Sequence, residues 1–253
     1  MDDIALNGAT IAFDLDGTLV ESAPDVIGAI NAVISAGGYQ PLPYDDGRPL
    51  ISRGARGVMQ FALERAGESD AAARTASLFG NFIEYYGAHL AVETSCFPGV
   101  EGALSALQDR GAKLVVCTNK PTELSIRLLK ALGIGAFFDA VIGIDATTAA
   151  KPNPAHLIEA VAAVGGDINR TIMVGDADTD ERAARAAGTG LILVSFGYSE
   201  VPAANLNPDA LLHNFDDLVE ACSKLLIDRR ASEVAGRHGG RLHKLGENRI
   251  VLK

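Results

Sequence analysis

The 253-residue sequence contains no tryptophan, three methionines and three cysteines, and it is short of positive charge: 22 Lys and Arg stand against 32 Asp and Glu, for a net charge of −10. Each shortage excludes something. Cys96, Cys117 and Cys222 are odd in number, far apart and in no CxxC pair. They form neither a disulfide framework nor a zinc site, and they suit a reducing compartment. No apolar run approaches the roughly 18 residues that span a bilayer. The opening Met1-Asp2-Asp3-Ile4-Ala5 is acidic where a secretory leader is basic, so a cytoplasmic location is expected. The acid excess argues against duplex nucleic acid or an anionic membrane as partner. It does not exclude a small anionic substrate held by a metal or by a few local cations.

What is present is an ordinary globular composition, 48% hydrophobic and 21% charged, at a length that suits one large domain or a domain with an insert. Short apolar runs at 10–13, 113–117, 140–144, 171–174 and 191–194 read as strands. Amphipathic segments lie between them: Val100, Ala103, Leu104 and Leu107 share one helical face, as do Leu124, Leu128 and Leu132, and Leu157, Val161 and Val164. Alternating strands and helices predict an α/β fold with a Rossmann-like parallel sheet covered on both sides. Residues 20–96 interrupt the alternation with helical patterns alone. Ser22 is placed to N-cap the first helix, with Pro24 and Asp25 in its opening turn and Gly37-Gly38 ending it. Two more helices are expected near 55–66 and 70–90. The predicted organisation is therefore a core of residues 1–19 and 97–227, an all-helical cap of 20–96, and a tail of 228–253. Seven basic against three acidic residues make the tail +4 and leave −14 for the rest. The tail is compatible with a small hairpin or a disordered end.

In open α/β sheets the functional residues follow the carboxyl ends of the strands. After the first strand comes Asp14-Leu15-Asp16-Gly17-Thr18, and after the second Thr118-Asn119-Lys120-Pro121. Beyond the third lies Lys151-Pro152-Asn153-Pro154, and after the fourth Gly175-Asp176-Ala177-Asp178-Thr179-Asp180. Taken singly, each has a plain structural reading: a turn, an N-cap, a stiff loop, an acidic helix start. Four strand ends carrying carboxylates, a hydroxyl and an amine in this order point to chemistry at one sheet edge.

These four segments resemble the motifs of the haloacid dehalogenase-like phosphohydrolases, over about residues 9–226. Within that family, Phe13 to Asp25, the loop Arg53-Gly54-Ala55-Arg56-Gly57-Val58 and Lys151-Pro152-Asn153-Pro154 are most similar to bacterial phosphoglycolate phosphatases. The resemblance implies a Mg²⁺-dependent phosphatase acting on a small phosphomonoester, 2-phosphoglycolate first. Asp14 would be the nucleophile, forming an aspartyl-phosphate, and Asp16 the general acid and base. Asp14, the backbone carbonyl of Asp16, and Asp176 would ligate the metal. Asp180 would orient metal-bound water or Lys151 from behind. Thr118, Asn119 and Lys151 would bind the phosphoryl group. Arg53 and Arg56, at a Gly-rich turn of the cap, would clamp a substrate carboxylate.

Three positions depart from the family pattern: Ala177 stands where Ser is frequent, Asp178 adds a carboxylate, and Arg53 replaces a small or amide residue. The same motifs fit a sugar phosphomutase of the β-phosphoglucomutase type or an inorganic pyrophosphatase. Dehalogenation needs neither Asp16 nor Mg²⁺. A phospho-receiver domain has about half this length and lacks a cap, and a catalytically inactive binding protein would not keep every expected catalytic residue. Spacing leaves a monomer and a homodimer equally open. The five histidines show no ligand spacing, and Cys117 reads as core packing.

Overall fold

The structure is a computed structural model that describes residues 3–247. The elements in chain order are α1 (Asp3–Leu6), β1 (Thr10–Phe13), β2 (Val20–Glu21), α2 (Ala23–Ala36), α3 (Tyr44–Gly47), α4 (Gly54–Arg65), α5 (Ala71–Ala88), β3 (Ser95–Cys96) and α6 (Val100–Asp109). There follow β4 (Lys113–Cys117), α7 (Thr122–Ala131), β5 (Ala140–Ile142), α8 (Pro154–Ala163), β6 (Thr171–Gly175), α9 (Asp178–Ala187), β7 (Gly190–Val194), β8 (Ala210–Leu212) and α10 (Leu218–Glu247).

Six strands form a parallel sheet in the order β5-β4-β1-β6-β7-β8. The expected α/β parallel sheet is thus present, with one more strand than the apolar runs announced. β8 is three residues long, too short for periodicity to register. Side chains alternate across the sheet, as a two-residue period requires. Ile11, Phe13, Leu114, Val116, Ile172 and Val174 face a layer that includes Leu104 and Leu107 of α6 and Leu218 and Cys222 of α10. Ala12, Val115, Cys117, Met173, Leu191 and Leu193 face α8 and α9 on the other side, against Leu157, Val161 and Ala184. Doubly buried strands explain the continuous apolar runs.

Between β2 and β3 the chain builds a separate apolar cluster from α2, α4 and α5, with Ile30, Ile34, Val58, Met59 and Phe82 at its centre. Leu124 of α7 and Tyr198, which follows β7, join this cluster from the sheet side, so the helical block is seated on the core. Its two connections are zipped together by the β2–β3 antiparallel pair, Val20 opposite Cys96 and Glu21 opposite Ser95. Helical patterning alone does not reveal so short a ladder.

Two side chains at the start of α2 act differently from the N-terminal reading. Ser22 occupies the N-cap position without a side-chain cap bond, because its hydroxyl donates to Asp16 Oδ1 at 2.5 Å. Asp25 reaches across to the second connection. Its carboxylate accepts the backbone N–H groups of Val92, Glu93 and Thr94 and the Thr94 hydroxyl, at 2.7–3.1 Å. Asp25→Ala leaves these donors unmatched in a mostly buried place. It is expected to lower stability by about 2 kcal/mol, read as a drop in the urea midpoint at unchanged slope.

The tail differs from both expectations. Residues 228–247 continue α10, with no hairpin. Residues 248–253 lie outside the described residues. No helix among the described residues is long and apolar enough to cross a membrane.

Candidate active site

Strand register places the chemistry. Phe13, the last residue of β1, sits opposite Val116 of β4 and Val174 of β6. Asp14 follows β1 directly, Thr118 follows β4, and Asp176 follows β6, so three candidate side chains leave adjacent strands at one edge. The Asp14 N–H still donates to Val174 O at 2.9 Å, and that of Thr118 to Ile142 O at 3.1 Å. This is where the connections turn from one side of β1 to the other, the crevice in which open α/β sheets bind ligands.

A cavity of about 430 Å³ opens over that edge. Asp14, Asp16, Thr118, Asn119, Lys151 and Asp176 line its floor, and Arg53 and Arg56 its cap side. Eight of the nine residues singled out from sequence therefore meet in one space. The ninth, Asp180, is fully buried beneath the floor.

The floor is organised around Lys151, which is 3% exposed. Its ammonium lies 2.9 Å from Asp14 Oδ1 and 2.7 Å from Asp180 Oδ1. The second oxygen of Asp180 accepts the N–H groups of Asp176 and Ala177, both at 3.1 Å, which closes the turn into α9. Both oxygens of Asp180 are thus committed. Asn119 holds the lysine's backbone: its amide oxygen accepts from Lys151 N and its amide nitrogen donates to Lys151 O, each at 3.0 Å. The Asn119 side chain therefore positions Lys151, which leaves its backbone as the part that can meet a phosphoryl group.

Asp176 Oδ1 accepts the Thr18 hydroxyl at 2.9 Å, and Oδ2 accepts the Tyr198 N–H at 2.7 Å. Space here is tight enough to demand glycine. A Cβ at Gly197 would stand 2.3 Å from Asp176 Cβ, and one at Gly17, whose φ is +84°, would stand 2.5 Å from Asp176 Oδ2. The motif glycine after Asp16 thus serves both a left-handed turn and a close approach.

Carboxylate oxygens of Asp14, Asp176 and Asp180 lie within 4.8 Å of one another. Among the described residues only the Lys151 ammonium is paired into this group. Burial, and then repulsion from Asp180 against the pull of Lys151, raises the Asp14 carboxyl to about 6. Burial and the charges of Asp180 and Asp14 push Asp176 well above the usual carboxylate range. For Lys151, burial acts downward, but Asp14 and Asp180 outweigh it and keep the ammonium charged. Three clustered carboxylates with one cation form an electron-rich, oxygen-only donor set, the kind that suits a hard divalent cation. Bound there, such an ion would offset the unbalanced charge.

Asp16 stands apart from this group. Lys120 donates to both of its oxygens at 3.1 Å, and the Ser22 hydroxyl adds the bond already described. Lys120 and Tyr198 are site residues that the sequence reading did not single out. The Tyr198 hydroxyl accepts from Ser22 N and Ala23 N and donates to Glu21 Oε1 at 2.7 Å. It so joins the Asp176 turn to the cap connection. Cys117 is buried at the end of β4, and burial pushes its thiol up to about 12, a packing residue and not a nucleophile.

The two cap arginines have different surroundings. Arg53 pairs with Glu200 in a two-pronged contact, Nε and Nη2 each 2.6 Å from a carboxylate oxygen. Arg56 lies over the Phe79 ring, 3.9 Å from its centroid, and pairs with no carboxylate among the described residues. The rest of the roof is largely apolar, with Ile51, Phe82, Ile83 and Tyr86.

Comparisons with known proteins agree with the sequence resemblance. Residues 9–188 match the family model of the haloacid dehalogenase-like hydrolases. A phosphoglycolate phosphatase of Caulobacter vibrioides is 50% identical over 221 residues, covering 87% of this chain and 93% of that protein. One from Agrobacterium fabrum is 37% identical over 87% of this chain and 94% of its own length. The crystal structure of a predicted phosphoglycolate phosphatase from Haemophilus somnus superposes with a TM-score of 0.76 at 29% identity, covering 85% of this chain and 97% of the other.

Proposed function

The chain belongs to the haloacid dehalogenase-like hydrolases, and from that premise we propose that it hydrolyses 2-phosphoglycolate, by phosphoryl transfer to Asp14 and then to water. The observation that carries this reading is a single cavity with two opposite recognition ends. Its floor has Asp14 and Thr118 on adjacent strand ends, with Lys151 brought to them by the loop that precedes α8. Its roof has Arg56, a guanidinium with an aromatic support and no carboxylate partner among the described residues. A small substrate with a phosphate at one end and a carboxylate at the other matches both.

Asp14, Asp176 and the backbone carbonyl of Asp16 would hold Mg²⁺. Bound there, the ion neutralises phosphoryl charge and lets an anionic nucleophile approach. The remaining work belongs to the protein. Asp14 attacks phosphorus while Lys151 and the Thr118 hydroxyl meet the phosphoryl oxygens. Asp16 gives a proton to the departing glycolate oxygen and later takes one from the water that cleaves the aspartyl-phosphate. Asp180 keeps Lys151 in place. The cap excludes bulk water.

The two arginines divide the role that the sequence assigned to both. Arg53 is held by Glu200 and ties cap to core. Arg56 is the carboxylate clamp. Phosphate release across 2-phosphoglycolate, sugar phosphates, nucleotides, pyrophosphate and an aryl phosphate tests the substrate: 2-phosphoglycolate is expected to have the highest kcat/KM, and a low rank sinks the assignment. Arg56→Ala is expected to raise KM for 2-phosphoglycolate by about 10- to 100-fold, equivalent to losing a charged hydrogen-bonded contact. KM for the aryl phosphate should hardly move. An unchanged KM for the carboxylated substrate would refute the clamp.

A further inference from the structure

Lys120 carries no role in the mechanism above, yet among the described residues it is one of the few buried cations, 8% exposed at the cavity wall. Its ammonium donates to both oxygens of Asp16 at 3.1 Å and to the Tyr86 hydroxyl at 2.6 Å. The Tyr86 ring is 4.5 Å away at its centroid. Lys120 belongs to the core loop after β4, and Tyr86 to α5 of the cap. Tyr86 is itself 2% exposed and stacks on Phe82 at 5.5 Å.

An ammonium has three protons. The two oxygens of the Asp16 carboxylate and the Tyr86 hydroxyl are the acceptors that hold it here. What the contacts accomplish is to fix Asp16. Without them, an aspartate after a strand has free rotation about two side-chain bonds. With Lys120 across both oxygens and the Ser22 hydroxyl on one, its direction is set by the core, and through Tyr86 by the cap.

We infer that Lys120 is a positioning residue for the proton transfer at Asp16, and that Tyr86 makes this positioning depend on the cap being seated. The inference rests on the hydrolase reading of Asp14 and Asp16. In the step concerned, the bond from Asp14 to phosphorus forms as the ester P–O bond breaks, and the Asp16 proton passes to the ester oxygen. Lys120 gives up no proton. A misaligned Asp16 harms this step in proportion to the leaving group's need for a proton. An alkoxide needs one. A p-nitrophenolate leaves without it.

The test is kcat/KM of the Mg²⁺-supplemented full chain on the fastest alkyl phosphate of the substrate panel and on p-nitrophenyl phosphate. This ratio reports only the steps up to alcohol release. Lys120→Met is expected to lose at least about tenfold more on the alkyl ester than on the aryl ester. Tyr86→Phe should shift the ratio the same way by a few-fold, and it serves alone if Lys120→Met fails to fold. Lys120→Arg should recover part of the loss. Equal losses on the two esters would overturn the inference. So would a change confined to KM for a carboxylated ester, since Lys120 would then hold substrate. A wild type that ignores 2-phosphoglycolate but cleaves another alkyl phosphate refutes the substrate assignment and leaves this comparison intact. A wild type that cleaves no alkyl phosphate defeats both.

Discussion

Asp14→Asn is expected to abolish phosphate release, by about 10³-fold or more, and at the same time to make the metal-free protein more stable. The first effect follows from the nucleophile's place in the proposed mechanism. An amide in its position does not form the aspartyl-phosphate. The second follows from what the folded chain imposes on that carboxyl. Burial and Asp180 raise Asp14 from 3.8 to about 6, despite the 2.9 Å contact with Lys151. A rise of about two units corresponds to about 3 kcal/mol of strain on the ionised form at neutral pH. Asparagine relieves part of that and forfeits part of the attraction to Lys151, so a net gain of about 1–2 kcal/mol is expected.

The pH dependence has a definite sign. The unfolded chain releases the Asp14 proton near 3.8, whereas the folded chain keeps it until about 6. Between those values the native state binds more protons, so this group's contribution falls as pH rises. The metal-free variant and wild type should therefore differ little in Tm near pH 4. The gap should widen up to pH 6 and stay constant above it. Thermal melts in chelator across pH 4–8 check this. A variant less stable than wild type at pH 7 would show that the cluster is not charge-strained. Substantial turnover in the variant would remove Asp14 as nucleophile.

Legibility in the sequence followed chemistry more than distance. Asp14, Thr118 and Asp176 were readable because a parallel sheet delivers the residues after its strands to one edge, and strands declare themselves as apolar runs; Lys151 was readable from the loop beyond the third of those runs. Their convergence on one cavity needed no knowledge of side-chain packing. The residues that were missed act through partners far along the chain. Lys120 is quoted in the second motif but has no local mark that separates it from a surface lysine, and its partner Asp16 is 104 residues away. Tyr198 meets Asp176 only because the loop after β7 folds over the strand edge. Arg53 illustrates the opposite case. An arginine at a glycine-rich turn reads as a free clamp, and only folding brings Glu200, 147 residues on, to occupy it. The cap was legible as an absence of strand periodicity, whereas the two-residue ladder that joins its connections was not. The long final helix was hidden by its own composition: the glycines and polar residues of the tail weaken any helical pattern, yet α10 runs through them.

Lys151→Met is expected to damage the metal-free fold severely. The lysine is 3% exposed and pairs with two carboxylates. A methionine fills most of its volume but leaves Asp14, Asp176 and Asp180 clustered within 4.8 Å without a cation. Removing one partner of a buried ionic group costs about 3–5 kcal/mol, because the remaining charge is uncompensated. Two consequences separate this from a simple packing defect. First, the loss should shrink at low pH, where Asp14, held to about 6, becomes neutral; a cavity-type defect would not respond to pH. Second, a divalent cation titrated into the variant should restore stability more than it stabilises wild type, because the variant offers a more negative site. Activity should stay low even when the fold is restored, with kcat reduced by about 10²–10³-fold, because a metal ion at the carboxylates does not replace the ammonium facing the phosphoryl oxygens. Tm measured with and without Mg²⁺ at pH 5 and pH 7.5, beside kcat at saturating Mg²⁺, distinguishes these outcomes. A variant equally destabilised at both pH values and indifferent to Mg²⁺ would mean that Lys151 is a packing residue. A fully active, metal-rescued variant would mean that charge balance in the cluster, and not contact with the phosphoryl group, is the lysine's whole contribution.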